Sequence, residues 1–146
     1  MSNWPDSRAV GFGMHLMADL EDCDPATLED LRLVHDTLGT LCVTIGMKAL
    51  TAPYAFFYDG GDDPRGSGIT GFQVIAESHI SIHTFPHMRH AFADVFSCRP
   101  FDAEVAARML KGVFRCSSAR LQIAGRGKNF VWEAGVDPVN LEEEQQ

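Results

Sequence analysis

Basic residues are scarce in this 146-residue sequence, where 12 Lys and Arg stand against 20 Asp and Glu for a net charge of −8. A phosphate backbone is gripped by clustered cations, so this balance excludes a nucleic-acid footprint and leaves room for a small cationic substrate. No run approaches the roughly 18 consecutive apolar residues of a membrane span. The opening MSNWPDSRAV also lacks the basic-then-apolar order of a secretory signal. The expectation is therefore a cytoplasmic protein with no membrane partner. The four cysteines, Cys23, Cys42, Cys98 and Cys116, contain no C-x-x-C pair, which fits reduced thiols better than a disulfide framework or a zinc site. Neither an internal repeat nor a G-x-S-x-G elbow is present.

What is there suffices for one core: 45% of the residues are apolar, and a single domain over residues 1–146 is expected. Phe12 to Leu20 reads as a strand that stops at the acidic EDCD. Asp24 then has the character of a helix N-cap with Pro25 at the first helical position, and Leu28, Leu31, Val34 (or His35) and Leu38 recur at helical spacing until Gly39. Cys42 to Ile45 and Tyr54 to Tyr58 read as further strands, followed by the irregular loop DGGDDPRGSG. Three β-rich runs come next, Phe72 to Ile75, His79 to Phe85 and Phe92 to Phe96, and predict a meander. Asp102 caps a second helix with Val105, Met109 and Val113 on one stripe. Leu121 to Ala124 and Phe130 to Trp132 give a final strand or two, and the acidic tail VNLEEEQQ reads as frayed. Strands in succession with two main helices predict an α+β two-layer sandwich, an antiparallel β-sheet covered on one face by those helices. Its other face then needs a cover, for which a second protomer is the expected source.

The chemistry concentrates in Ala76-Glu77-Ser78-His79-Ile80-Ser81-Ile82-His83-Thr84-Phe85-Pro86. In an extended chain His79, Ser81, His83 and Phe85 share one face, while Ile80 and Ile82 share the other. Three readings of that polar face compete. His79, His83 and His87 lie four apart, as metal ligands on a helix would, although Ile80, Ile82 and Pro86 favour extended chain. A Ser/His hydrolase is a second reading, without the glycines of a nucleophile elbow. Hydrogen-bonded polar residues on a half-buried strand are the third.

The run also resembles the short prokaryotic form of the S-adenosylmethionine decarboxylase family, whose motif E-S-H-x-[ST]-I-H-T-[WF]-P contains a self-cleavage site. The resemblance extends from Gly13-Met14-His15-Leu16 and Cys23-Asp24, through Gly68-Ile69-Thr70-Gly71, to Asp94-Val95-Phe96-Ser97-Cys98, and fades at Arg126-Gly127. It implies that Glu77-Ser78 is the scissile pair. The Ser78 hydroxyl attacks the Glu77 carbonyl to give an ester, which eliminates to leave ammonia and a pyruvoyl group, with residues 1–77 as one subunit and 78–146 as the other. The implied activity is decarboxylation of an amino-acid-like substrate held as a Schiff base on that self-derived pyruvoyl cofactor, with no metal. On the resemblance, His83 assists processing and Cys98 returns a proton to Cα. Thr70 stands where the family usually has a processing serine, and the active sites lie near a homodimer interface.

Two departures bear on the substrate. The family's adenine-stacking phenylalanine, six residues before the Thr70 position, is replaced by Pro64, and its ribose-binding glutamate after T-[WF]-P by His87. Phe56 or Phe57 could supply the aromatic face, and His87 could still donate to a ribose. Asp62 and Asp63 would equally suit a guanidinium or ammonium. The first expectation is decarboxylation of S-adenosylmethionine, giving the aminopropyl donor for spermidine synthesis. Arginine or ornithine decarboxylation by the same machinery is the alternative, and an unprocessed, non-catalytic homologue is a third.

Overall fold

A computed structural model describes residues 12–127, 129 and 130. The chain runs β1 (Gly13–Glu21), α1 (Pro25–Leu28), α2 (Leu31–Thr44), β2 (Lys48–Ala49), β3 (Tyr54–Tyr58), β4 (Gly68–Ala76), β5 (Ser78–Phe85), β6 (His90–Ser97), α3 (Ala103–Phe114) and β7 (Ser118–Arg126). Short 3₁₀ turns lie at Pro64–Gly66 and Pro86–Met88. All seven strands form one antiparallel sheet in the order β2-β4-β5-β6-β1-β7, with β3 beside β2 on the same edge of β4. The helices lie on one face, α2 against β3, β4 and β5 and α3 against β1 and β7. The fold is the expected α+β two-layer sandwich.

Alternation along each strand divides the sheet's two faces. Leu16, Ala18 and Leu20 of β1, Ile80 and Ile82 of β5, and Ala93 and Val95 of β6 point to the helices and are buried. They meet Val34, Leu38 and Leu41 of α2 and Leu110 and Phe114 of α3 in one core. The opposite face carries no layer among the described residues. It exposes Tyr54, Phe56, Phe72, Val74 and Phe92, and Tyr54 stacks on Phe72 with ring centroids 5.4 Å apart.

The helical regions depart from the sequence reading in three ways. Asp24 does cap a helix, its carboxylate accepting from the Ala26 amide at 3.0 Å, but that helix is one turn long. Asp30 starts a second by accepting from the Leu33 amide at 3.0 Å, and Leu31, placed on the apolar stripe by its spacing, is exposed. The strand expected at Cys42 to Ile45 is instead the last turn of α2 and its C-cap. The β-branched Val43 and Thr44 gave that stretch its strand character, yet Val43 is 76% exposed while Leu38, Leu41 and Cys42 are buried, which is helical spacing. Thr37, Thr40 and Thr44 fit the helix by donating their hydroxyls to the carbonyls four residues back, at 2.6, 2.9 and 2.7 Å. In α3, Asp102 caps as expected, but the buried line is Ala103, Ala106, Ala107, Leu110 and Phe114, beside the Val105, Met109 and Val113 stripe. Small alanines let the helix approach the sheet. Of the expected terminal strand, Phe130 is not in a strand, and Trp132 and the acidic tail lie outside the described residues.

Candidate active site

Antiparallel β4 and β5 are joined through Glu77, so the hairpin tip holds the Glu77-Ser78 pair. Ser78 has φ +122, a region that residues with a side chain rarely enter, and such strain accumulates where the surrounding structure over-determines the backbone for a functional purpose. Its Cα faces Ser97, at the end of β6, which brings the next residue, Cys98, against it. The Ser78 Oγ lies 3.4 Å from the Cys98 Sγ. The Cys98 amide donates to the Glu77 carbonyl oxygen at 3.3 Å. One residue thus presents a thiol to the Ser78 hydroxyl and an N–H to the Glu77 carbonyl. An N–H aimed at a carbonyl oxygen polarises it and stabilises the oxyanion formed on attack.

Thr70 and His83 are brought together, but elsewhere. They are directly opposed in the β4–β5 register, with the Thr70 Oγ1 3.2 Å from the His83 Nδ1. Ser78 and His83 are five residues apart on one extended strand, about 16 Å at roughly 3.3 Å per residue. No imidazole moves a proton across that span within one copy. Phe56 is opposite Thr70 on the far side, and Phe92 is opposite His83. The dyad is therefore flanked by two half-exposed rings on the uncovered face. Phe57, one residue on, points to the other face.

His87 lies in the 3₁₀ turn after β5 and is exposed. That turn packs against the 3₁₀ turn at Pro64–Gly66, at the end of the hairpin remote from Ser78. Asp63 caps the latter turn through the Arg65 amide at 3.0 Å, and its carboxylate is gripped by the Arg65 guanidinium, Nη2 to Oδ2 2.7 Å and Nε to Oδ1 2.9 Å. Arg65, with a smaller contribution from His87, holds the Asp63 carboxyl below its ordinary range. Asp62 and Pro64 are exposed in the same loop. An open cleft of about 550 Å³ is lined by Leu31, Arg32, His35, Asp36 and Ala55 and by none of these groups. Among the described residues no group of three His, Cys, Asp or Glu is placed to hold a metal, and His79 and His83 follow the extended strand as the isoleucine alternation required.

Two features near Ser78 were not assigned to the site by the sequence reading, although the second includes His15, Asp94 and Arg126 of the family resemblance. The Cys98 amide is a backbone group with no sequence signal. The other is a polar row next to the tip: the His15 Nε2 donates to the Asp94 carboxylate at 2.9 Å, the His15 and His79 rings lie 5.9 Å to either side of Phe96, and the Arg126 guanidinium sits 4.2 Å over the Phe96 ring. Alternation against buried Leu16 could have placed His15 on this face, but its partner is 79 residues away.

The family model described as S-adenosylmethionine decarboxylase matches residues 14–127. The chain is 32% identical over 134 residues to the S-adenosylmethionine decarboxylase proenzyme of Thermoanaerobacter sp. (strain X514), covering 88% of this chain and 97% of that one. It is 40% identical over 86 residues to the proenzyme of Parasynechococcus marenigrum (strain WH8102), covering 59% and 62%. In fold it is similar to the crystal structure of the adenosylmethionine decarboxylase from Aquifex aeolicus, with a TM-score of 0.66 and 23% identity over 87% of this chain and 98% of that one. With the family model spanning residues 14–127 and the hairpin-tip serine set against a thiol, this chain belongs to the S-adenosylmethionine decarboxylase family.

Proposed function

We propose that this chain cuts itself before Ser78, converts Ser78 to a pyruvoyl group, and decarboxylates S-adenosylmethionine in the cytoplasm, supplying the aminopropyl donor for spermidine synthesis. The observation that carries the reading is the meeting of the Ser78 hydroxyl, the Cys98 thiol and the Cys98 amide on the Glu77 carbonyl. Ser78 Oγ attacks that carbonyl carbon, and the Cys98 N–H stabilises the oxyanion as the Glu77–Ser78 bond gives way to an ester. Elimination and hydrolysis then leave residues 1–77 and 78–146 as separate chains and release ammonia. The site fits a pyruvoyl group, since the serine that would form it lies within reach of the Cys98 thiol. That group supplies a ketone conjugated to an amide carbonyl, an electron sink for the charge left at Cα when carbon dioxide departs. The Cys98 thiol, beside the position Ser78 occupies, is the proton source for that carbon.

Processing needs a proton carrier, and His83 with Thr70 is too far from the Ser78 of its own copy. The uncovered, aromatic-rich face supports a two-fold homodimer. A two-fold axis passing between the hairpin tip and the His83 region would bring the tip of one hairpin to the His83 region of the other, and the reverse. Thr70 and His83 then serve the partner's Ser78, and Phe56, next to the dyad, takes the ring-stacking role that Pro64 cannot fill. His87 and the polar row at His15 and Asp94 remain for hydrogen bonding to substrate. The pairing of Asp63 with Arg65 removes that carboxylate from recognition of an external guanidinium, which favours S-adenosylmethionine over arginine or ornithine. Asp62 is left to the solvated loop.

Incubating the purified enzyme with S-adenosylmethionine, arginine and ornithine together, reducing the mixture, and weighing the C-terminal chain tests the substrate. A covalent adduct with the mass of S-adenosylmethionine or its decarboxylated form is expected. An arginine or ornithine adduct would overturn the substrate, and an uncut, unlabelled chain would return the protein to a non-catalytic role.

A further inference from the structure

Two cysteines that the proposed reaction does not use lie against each other. The Cys23 Sγ and Cys116 Sγ are 2.9 Å apart, although 93 residues separate them in sequence. A disulfide bond is about 2.05 Å long, so closure needs a movement of about 0.9 Å. Both backbones are pinned close by. The Cys23 amide donates to the Arg89 carbonyl and the Asp24 amide to the Phe114 carbonyl. Thr27 also donates to the Phe114 carbonyl, and Arg115 pairs with Asp24 at 3.3 Å. The segment after β1 and the end of α3 therefore cannot easily drift apart. The remaining cysteines are occupied elsewhere, Cys42 against the Met47 carbonyl and Cys98 against Ser78.

We propose that Cys23 and Cys116 form an oxidisable dithiol that closes by exchange with a small-molecule disulfide, and that after the cut before Ser78 this bond ties the two resulting chains together. The tie, though not the bond, rests on the self-cleavage proposed above. Cys23 is fully buried and Cys116 partly exposed, so exchange starts at Cys116. Its thiolate attacks one sulfur of the disulfide RSSR and expels RS⁻, which takes up the proton that Cys116 gave. Cys23 then loses its proton and displaces the second RS⁻, so two protein thiols and one RSSR give one protein disulfide and two RSH. Burial raises both thiols above their ordinary range, while Lys111 acts to lower Cys116. The exchange is accordingly slow at neutral pH and faster in alkaline solution.

The test uses the full processed enzyme, incubated with oxidised glutathione at mildly alkaline pH. Titration in denaturant should fall from the four thiols of the sequence to two for the pair, and a protease digest should contain Cys23 joined to Cys116. Without reductant the denatured protein should weigh as one linked species, and with reductant as two chains. Cys116→Ala should leave the chains separate in both conditions. A digest lacking the joined peptide, with the two thiols still titrating, would overturn the proposal. A joined peptide in a chain that reduction does not split would support the bond and overturn the tie, a result distinct from failure of the bond itself.

Discussion

The amide of Cys98 donates to the carbonyl of Glu77 at 3.3 Å while the thiol of the same residue lies 3.4 Å from Ser78 Oγ. In the proposed mechanism, backbone and side chain of one residue serve two different steps, and substitution separates them. Cys98→Ala keeps the amide, so cleavage should proceed near its normal rate, while loss of a positioned proton donor should slow turnover by about 10²–10⁴-fold. Time courses of chain cleavage and of carbon dioxide release check the two halves. Equal loss in both would assign the thiol to processing.

Removing the amide has the opposite emphasis. Cys98→Pro deletes the N–H aimed at Glu77 and should slow cleavage by about 10²–10³-fold, the cost of losing one oxyanion donor. A thermal melt alongside ensures that a folded protein is compared. Cleavage at the normal rate in a folded variant would show that this hydrogen bond does not assist the attack.

If Thr70 and His83 act on the partner copy, complementation should reveal it. Ser78→Ala alone should never be cut and His83→Ala alone only slowly. Co-expression should restore cleavage of the His83→Ala chain, because its Ser78 then meets an intact His83. No rescue in a mixed dimer would place the dyad's action within one copy. Thr70→Ala should slow processing more than Thr70→Ser, since the 3.2 Å contact to His83 needs only the hydroxyl.

Much of this was legible in the sequence, and what was not shares one cause. Asp24, Asp102 and the isoleucine alternation of β5 act through neighbours a few residues away, so pattern reached them. Asp30 was missed because Leu28 and Leu31 stay in helical phase across the break. Cys42 to Ile45 misled because β-branching is a local preference that burial of Leu38 and Leu41 overrides. The Ser78–Cys98 and Cys23–Cys116 contacts depend on strand order and on a helix return, which no spacing encodes. The family motif named the residues of the first pair but not their geometry, and it gave no sign that His83 stands about 16 Å from Ser78.

The hairpin that positions the dyad has a sensitive point at Gly68, where an added Cβ would come within 1.8 Å of the Thr84 carbonyl oxygen. Thr84 also accepts from the Ile69 amide at 2.9 Å and donates to the Leu28 carbonyl at 2.8 Å, so it cannot give way. Gly68→Ala should destabilise the fold by several kcal/mol, beyond the ordinary range of about 0.5–3, as read by denaturant unfolding. An unchanged midpoint would show that the strands part easily there.

Burial of Cys23 gives a pH signature. Its thiol titrates higher in the folded chain than in the unfolded one, so its contribution to stability is complete below the unfolded thiol range and is lost as pH rises above it. Melting temperatures of the reduced protein should fall through the alkaline range more steeply than those of Cys23→Ala. Parallel curves would remove Cys23 as the cause.

The most direct test of the central claim is the intact mass of the purified protein under denaturing, reducing conditions. We expect two chains, residues 1–77 and residues 78–146, the second lighter than its sequence by the elements of ammonia. A single uncut chain, or a second chain beginning with an ordinary serine, would contradict it.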